Sequence, residues 1–219
     1  MTKSRFVFMS ILAVTLVVVI PVSADYTADH PLTTYAHEKI RGDLIYTIGD
    51  SEYMGEISPG DTYTVAFVLD IPESTNVTTA RLYAYWTESH EGEEGAYPEM
   101  DVTFDGNEVV KLDREYRDRK GEGDYDYPSG THCYDVTDYV WGSGVCIATV
   151  ENSAEEFRSF SMIALALLLI YEDEKGEELE YWINEGCDML NMEMIEHAED
   201  AVTTAKFGGK IDVDGMSRI

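Results

Sequence analysis

Residues 62–71, TYTVAFVLDI, and residues 79–87, TARLYAYWT, decide the fold. In each stretch every second residue is apolar, beginning at Tyr63 in the first and running from Ala80 to Trp86 in the second. Successive side chains of a β-strand point to opposite faces, so this period of two is typical of a strand that buries one face. A polar turn containing proline joins the stretches. We therefore predict two neighbouring strands whose apolar faces meet one core.

The same pattern of short apolar runs between turns continues along the chain. The longest run, residues 160–171, is flanked by acids and, at about twelve residues, is too short to cross a bilayer, so we predict a buried central strand. Residues 113–131 are charged and rich in glycine, which predicts a long exposed loop, and Asp135 is predicted to cap a short helical turn. Further strands are predicted at residues 43–48, 100–104, 109–112, 145–150 and 179–183. The sequence thus predicts an all-β fold, an antiparallel two-sheet β-sandwich with about eight to ten strands.

The first 24 residues have the features of an export signal. Lys3 and Arg5 precede an uncharged apolar run over residues 6–20, and small residues end at Ala24. We interpret residues 1–24 as a secretory signal peptide that is cleaved after Ala24. The alternative, an uncleaved anchor, is disfavoured because fifteen residues fall short of the roughly 20 that a membrane span needs. The mature protein is therefore expected to be secreted or held at the cell surface.

The charge balance excludes one class of partner. The chain has 15 Lys and Arg against 43 Asp and Glu, for a net charge of −28. Nucleic-acid binding requires clustered cations that neutralise phosphates, so no nucleic-acid partner is expected. Hydrophobic residues make up 44% of the sequence, which is enough for a proper core.

Export also permits two kinds of covalent modification. With three cysteines, at most one intrachain disulfide forms, and any of three pairings is open. Cys133–Cys146 is the most local pairing and leaves Cys187 unpaired. A disulfide that closes this loop would stabilise the fold by about 3 kcal/mol. The sequence Asn76-Val77-Thr78 is a glycosylation sequon in a polar turn, so Asn76 is a candidate glycosylation site.

No motif points to catalysis or to a cofactor. The sequence has no G-x-S-x-G, and its five histidines lie in no nucleophile motif. The many acids make close carboxylate pairs unavoidable by chance, so we predict no catalytic residues and no enzyme. A structural calcium is the one metal considered, because acidic loops bind hard cations. Residues 124–126 and 212–215 are candidates, the latter without the other ligands of an EF-hand, so the metal residues stay unassigned.

Aromatic residues offer a candidate binding surface. Tyr125 and Tyr127 lie in a polar loop and are predicted to be exposed, which makes them candidates for stacking on a sugar ring. Trp86 instead lies at an inward-facing strand position and is predicted to belong to the core.

The domain organisation follows from these features. Residues 25–190 are predicted to form the β-sandwich. Residues 202–207 and 212–219 resemble the opening strand and turn at residues 62–82, so residues 191–219 are interpreted as a linker or the start of a second, truncated β module.

Part of the chain resembles the galactose-binding-like jelly roll. Residues 80–83 (ARLY) and 102–109 (VTFDGNEV) resemble its hairpin, and residues 134–140 (YDVTDYV) resemble an edge strand of that fold. The resemblance covers residues 62–152 and implies a two-sheet jelly roll. It implies no particular activity, because this fold carries many functions.

The mature chain as a whole also resembles a domain family of unknown function found in secreted and surface proteins of methanogenic archaea. Residues 134–140, 169–173 (LIYED) and 181–190 (YWINEGCDML) carry this resemblance. Members typically continue beyond the point where this chain stops. The resemblance implies a location and a fold but no activity.

These observations favour an extracellular structural or adhesion module without catalysis. Its expected partners are cell-envelope components or adjacent domains of surface proteins. A carbohydrate-binding module that contacts polysaccharide is the alternative, and a hydrolase is a third, which would require a concave pocket with paired carboxylates or a histidine of perturbed pKa.

Overall fold

The structure, a computed structural model, describes residues 30–190 apart from 74, 107, 108, 122 and 156, together with residues 202–209. The predicted signal peptide, residues 1–24, lies outside the described residues, as does the candidate calcium loop 212–215. The strands, numbered along the chain, are β1 (Thr33–Thr47), β2 (Met54–Ile57), β3 (Thr62–Leu69), β4 (Asn76–Glu91), β5 (Glu94–Gly95), β6 (Met100–Phe104), β7 (Leu112–Asp118), β8 (Ser129–Asp135), β9 (Gly144–Asn152), β10 (Arg158–Glu172) and β11 (Glu177–Glu185). A 3-10 turn at Thr137–Tyr139 lies between β8 and β9, after Asp135 as predicted.

The strands form two antiparallel sheets. The large sheet has eight strands in the order β11-β1-β10-β4-β8-β7, with β2 added to β10 and β5 added to β4. The small sheet has three strands in the order β3-β9-β6. This arrangement confirms the predicted all-β, two-sheet sandwich. In the described part of the chain, no helix is both long and apolar enough to cross a bilayer.

The core lies between the sheets and is built from the alternating residues that the sequence indicated. Tyr63, Val65 and Phe67 of β3 face inward, and Trp86 of β4 is 1% exposed. The apolar run 160–171 is confirmed as a central strand, because β10 pairs with β1 and β4 along most of its length. Alternation therefore predicted both the strands and the faces that they bury.

Two of the strands that were not predicted, β7 and β8, overlap a stretch that was predicted to be a loop. Residues 113–131, predicted to be a long exposed loop, contain most of β7 and the start of β8. β7 is an edge strand whose charged side chains are largely exposed, so it lacks the apolar alternation that marks a half-buried strand. β1 likewise begins at Thr33, well before the predicted strand at 43–48.

The first half of β1 forms a ribbon with β11. Residues 33–42 pair with β11, whereas the rest of β1 pairs with β10. Gly42 is paired with both partners, and a Cβ there would overlap the Tyr171 carbonyl oxygen, so this position requires glycine. We call residues 33–42 and β11 the ribbon. Its apolar residues pack with Leu168 and Ile170, which places it against the outer face of the large sheet.

The three cysteines are free, so the structure does not support the predicted disulfide between Cys133 and Cys146. Cys133 lies in β8 and packs with Tyr83 and Ala166 on the outer face of the large sheet. Cys146 lies in β9 of the small sheet and belongs to the core between the sheets. Because the two side chains lie on opposite sides of the large sheet, no local adjustment brings the sulfurs together.

Three free thiols lead to a simple expected result. After denaturation the purified mature protein should show three titratable thiols, and addition of a reductant should leave its thermal unfolding midpoint unchanged. A native disulfide contributes about 2–5 kcal/mol in a small secreted domain. One titratable thiol together with a lower midpoint in reductant would contradict the structure.

Candidate functional site

A cleft of about 570 Å³ lies on the outer face of the large sheet, where β2, β4, β8 and β10 meet. Thr87 and Ser161 form its floor and are cross-strand partners, two residues beyond Tyr85 on the same face of β4. We call it the tyrosine cleft. Its side walls are aromatic and acidic: Tyr53, Tyr125, Tyr127, His90, Glu56 and Glu88.

The predicted stacking residues Tyr125 and Tyr127 both line this cleft. Tyr125 is 70% exposed and stands edge-on to Tyr127, with ring centroids 5.8 Å apart. Tyr127 stacks on His90, with centroids 4.7 Å apart and an angle of 24° between the ring planes. Tyr53, which the sequence analysis did not single out, contributes a third tyrosine ring and is 65% exposed. The cleft thus presents two exposed rings, Tyr53 and Tyr125, beside the half-buried ring of Tyr127.

Two hydrogen bonds fix the ring of His90. Its Nδ1 lies 2.9 Å from the Gly92 carbonyl oxygen, which only accepts, so Nδ1 carries the proton. Nε2 then accepts from the Ser159 hydroxyl, whose oxygen is 3.3 Å away. Ser159 is buried and does not line the cleft. The two contacts therefore orient His90 as a support for the Tyr127 ring.

Glu88 reaches the cleft through a bulge in β4. The register between β4 and β10 shifts at this point, with Thr87 opposite Ser161 and His90 opposite Ser159. Glu88 has a φ of 52°, a left-handed conformation that is costly for residues other than glycine. Its Oε2 lies 3.5 Å from the Ser161 hydroxyl oxygen. Local backbone strain of this kind is concentrated at functional sites, where the surrounding structure holds it in place.

The loop that carries the two tyrosines is held by an ion pair. Arg119 Nε donates to Asp126 Oδ2 at 2.8 Å, and the Gly121 amide donates to Asp126 Oδ1 at 2.9 Å. Burial raises the pKa of Asp126, but the hydrogen bonds from Arg119 and Gly121 and the charges of Arg119 and Lys120 together outweigh burial and hold that pKa below its usual value. Both oxygens of Asp126 thus already accept hydrogen bonds within the loop. Among the described residues, no group of three or more His, Cys, Asp or Glu is placed to hold a metal.

Sequence comparison supplies a family for this fold and cleft. The profile of the protein family of unknown function DUF3344 matches residues 25–218. The chain belongs to this family. The match confirms the resemblance to a family of unknown function, while the archaeal source and the galactose-binding-like relationship stay predictions. No curated protein and no solved structure matches the DUF3344 chain.

The predicted glycosylation site is accessible. Asn76 begins β4 and is exposed, and its Nδ2 donates to Glu172 Oε2 at 3.0 Å. Thr78 of the same sequon donates from its hydroxyl to the Ile170 carbonyl oxygen at 3.1 Å. Glycosylation of the DUF3344 chain at Asn76 stays a prediction.

A buried ion pair lies beside the cleft, under the ribbon. Arg81 is fully buried and donates from Nε to Glu185 Oε1 at 2.9 Å and from Nη2 to Oε2 at 3.0 Å. The hydroxyls of Tyr83 and Tyr116 also donate to Glu185, at 3.0 and 3.2 Å. The Tyr35 ring covers the guanidinium at 3.8 Å. Since every polar group here has a partner within the protein, the cluster joins the ribbon to the sheet rather than offering a site to a ligand.

The sequence analysis missed several of these residues because their positions depend on distant partners. Tyr53 and His90 reach the tyrosine cleft only through the pairing of β2 and β4 with β10. Arg81 did leave a local signal. It is a lone charge on the outer face of an apolar strand, and such a charge requires a buried partner.

Proposed function

We propose that the chain is an extracellular recognition module that binds a saccharide in the tyrosine cleft without cleaving it. The observation that carries this proposal is the stacked pair of Tyr127 and His90 beside the Glu88 carboxylate. A pyranose ring has an apolar face of C–H groups and a rim of hydroxyls. An exposed ring with an adjacent acceptor matches both features.

The dimensions and the lining of the cleft suit such a ligand. Binding sites for small molecules commonly enclose about 300–1,000 Å³ and combine aromatic walls with a few polar groups, and the cleft has a volume of about 570 Å³. Glu88 accepts hydrogen bonds from sugar hydroxyls, and the hydroxyls of Thr87, Ser129 and Ser161 donate or accept. Thr87 and Ser129 are already linked by a 2.7 Å hydrogen bond, which limits the freedom of their side chains.

The proposal combines adhesion with carbohydrate recognition. The full sequence has a net charge of −28, so the exported module stays solvated and attaches through a defined site rather than through nonspecific contacts. Polysaccharide of the cell envelope is the proposed partner class. Location outside the cell rests on residues 1–24, and the absence of catalysis rests on the lack of a nucleophile motif in the sequence.

Replacement of the tyrosines tests the proposal. Tyr125→Ala and Tyr127→Ala in the purified mature protein should each weaken binding to a glycan array or polysaccharide affinity gel by at least about tenfold, because an aromatic anchor at the centre of a site is typically worth that much. Trp141→Ala is the matched control, since Trp141 is 90% exposed and lies outside the cleft.

Two outcomes would contradict the proposal. One is the absence of any glycan binding by the wild-type protein, and the other is an equal loss of binding in the Trp141→Ala control. Release of reducing ends from a bound glycan by the wild type would overturn the non-catalytic part of the proposal.

A further inference from the structure

We infer that the tyrosine cleft selects neutral sugars and rejects uronic acids and other anionic sugars, with Glu88 as the residue that determines this specificity. The inference rests on the saccharide binding proposed above. It concerns the chemical class of the ligand, which the aromatic rings alone do not decide, since a neutral sugar and the corresponding uronate have similar stacking faces.

The charges that face the cleft carry the inference. Glu56 and Glu88 line it, and Lys120 is the one cation among the described lining residues. The Lys120 ammonium donates to the carbonyl oxygen of Asp124 at 2.8 Å, and its single positive charge does not balance the two carboxylates. The adjoining depression, which shares Tyr125 with the cleft, is lined by Glu93 and Glu94 and by one cation, Arg119, which is paired with Asp126.

The sequence supplies no further cation to the segments that form the walls. No lysine or arginine occurs between Arg41 and Arg81, the stretch that carries Tyr53 and Glu56. None occurs between Lys120 and Arg158, the stretch that carries Tyr125 and Tyr127. A sugar carboxylate or sulfate in the cleft therefore meets like charges, and meets them in a protein of net charge −28.

Glu88 is placed to determine specificity because its carboxylate makes few hydrogen bonds to the described part of the protein. The bulge directs it into the cleft, and among the described residues its one hydrogen-bond partner is the Ser161 hydroxyl, 3.5 Å from Oε2, a long contact. Its carboxylate therefore has lone pairs available to accept from sugar hydroxyls. The same carboxylate repels an anionic substituent held within a few ångströms.

Matched sugar pairs test the inference. For every neutral hexose ligand that binds, the uronate that differs only by oxidation at C6 is measured by calorimetry with the mature protein. At about 0.05 M salt the neutral member should bind at least about tenfold more tightly, and the difference should shrink at about 1 M salt, where screening is strong. Glu88→Gln should reduce the difference to less than about threefold.

The controls keep a folding defect separate from a loss of selectivity. Glu177→Gln, at the exposed start of β11 at the far end of the large sheet, should leave the discrimination unchanged. Glu88→Asn is the second neutral variant, since asparagine tolerates the left-handed conformation at this position. Uronates that bind as tightly as neutral sugars would overturn the inference and leave the proposed function standing. Absence of binding to either class would overturn the proposed function itself.

Discussion

Replacement of Arg81 by methionine is expected to destabilise the fold by about 3–5 kcal/mol. Arg81 and Glu185 are 0% and 4% exposed, and the guanidinium neutralises a carboxylate that is otherwise supported by two tyrosine hydroxyls. In Arg81→Met the Glu185 charge stays inside the protein without its counter-charge. The measurement is the free energy of unfolding in urea near neutral pH, followed by tryptophan fluorescence.

The double variant Arg81→Met/Glu185→Leu separates charge from packing. Replacing both members of a buried ion pair by apolar residues of similar size is often nearly neutral, so this variant should regain most of the lost stability. Arg41→Met is the matched surface control, because Arg41 forms an exposed pair with Glu178 at 3.6 Å and should contribute no more than about 1 kcal/mol. Equal losses in the single and double variants would show that packing, not the buried charge, sets the cost.

The second large effect is a dependence of stability on pH that comes from His132. Burial lowers the pKa of His132 to about 4; the charge of Glu115 opposes this shift, and the charge of Arg117 adds to it. Its ring is 5% exposed and meets Trp86 edge-on, and Nδ1 has no hydrogen-bond partner among the described residues. Protonation therefore adds a charge at a buried ring whose Nδ1 lacks an acceptor, and the half-exposed carboxylate of Glu115, 3.8 Å from Nε2, offsets only part of that cost.

The direction in which stability changes with pH follows from whether the folded or the unfolded state binds the proton. Between about pH 6.5 and about pH 4 the unfolded chain holds the proton on His132 and the folded chain does not. The stability is thus fully present above about pH 6.5 and is lost as the pH falls, by about 3 kcal/mol in total at pH 4. The His132→Leu variant should lose this contribution, so its free energy of unfolding should fall less over the same range.

Other acidic groups also titrate in this window, so the comparison with wild type is what matters. Val110→Ala, a substitution of a buried residue that does not titrate, is the control and should shift stability by a constant amount at every pH. If the free energies of unfolding of His132→Leu and wild type change in parallel from pH 7 to pH 4, the prediction that His132 is buried in its neutral form is wrong.

The strands of the core were predictable because a buried strand requires apolar residues in its own local sequence. β3 and β4 carry apolar residues at the spacing that their buried faces require, and β10 was predicted from a long apolar run between acidic flanks. β7 has no such pattern of apolar residues. Its charges are compatible with a strand because it lies at a sheet edge and because Asp113 pairs with Arg81 of another strand. A local sequence pattern does not reveal pairing between residues that are so far apart in the chain.

The tyrosine cleft was predictable only in part, for the same reason. Tyr125 and Tyr127 are neighbours in a polar loop, which predicted the exposure of Tyr125 correctly, whereas Tyr127 is half-buried against His90. His90 and Ser159 are separated by 69 residues, and the bulge at Glu88 depends on register between strands. The predicted disulfide shows the reverse error, since Cys133 and Cys146 are close in sequence but lie in different sheets.

The ribbon pairs the first strand of the domain with its last. Residues 33–42 pair with β11, more than a hundred residues later in the chain, and of these residues Gly42 also pairs with β10. A nascent polypeptide therefore cannot close the outer layer over Arg81 until Glu185 has been synthesised. Contacts of this sequence separation are slow to form, so a product that stops early keeps a half-assembled, apolar face toward water. The outer layer can therefore close only after β11, the last strand among the described residues, has been synthesised.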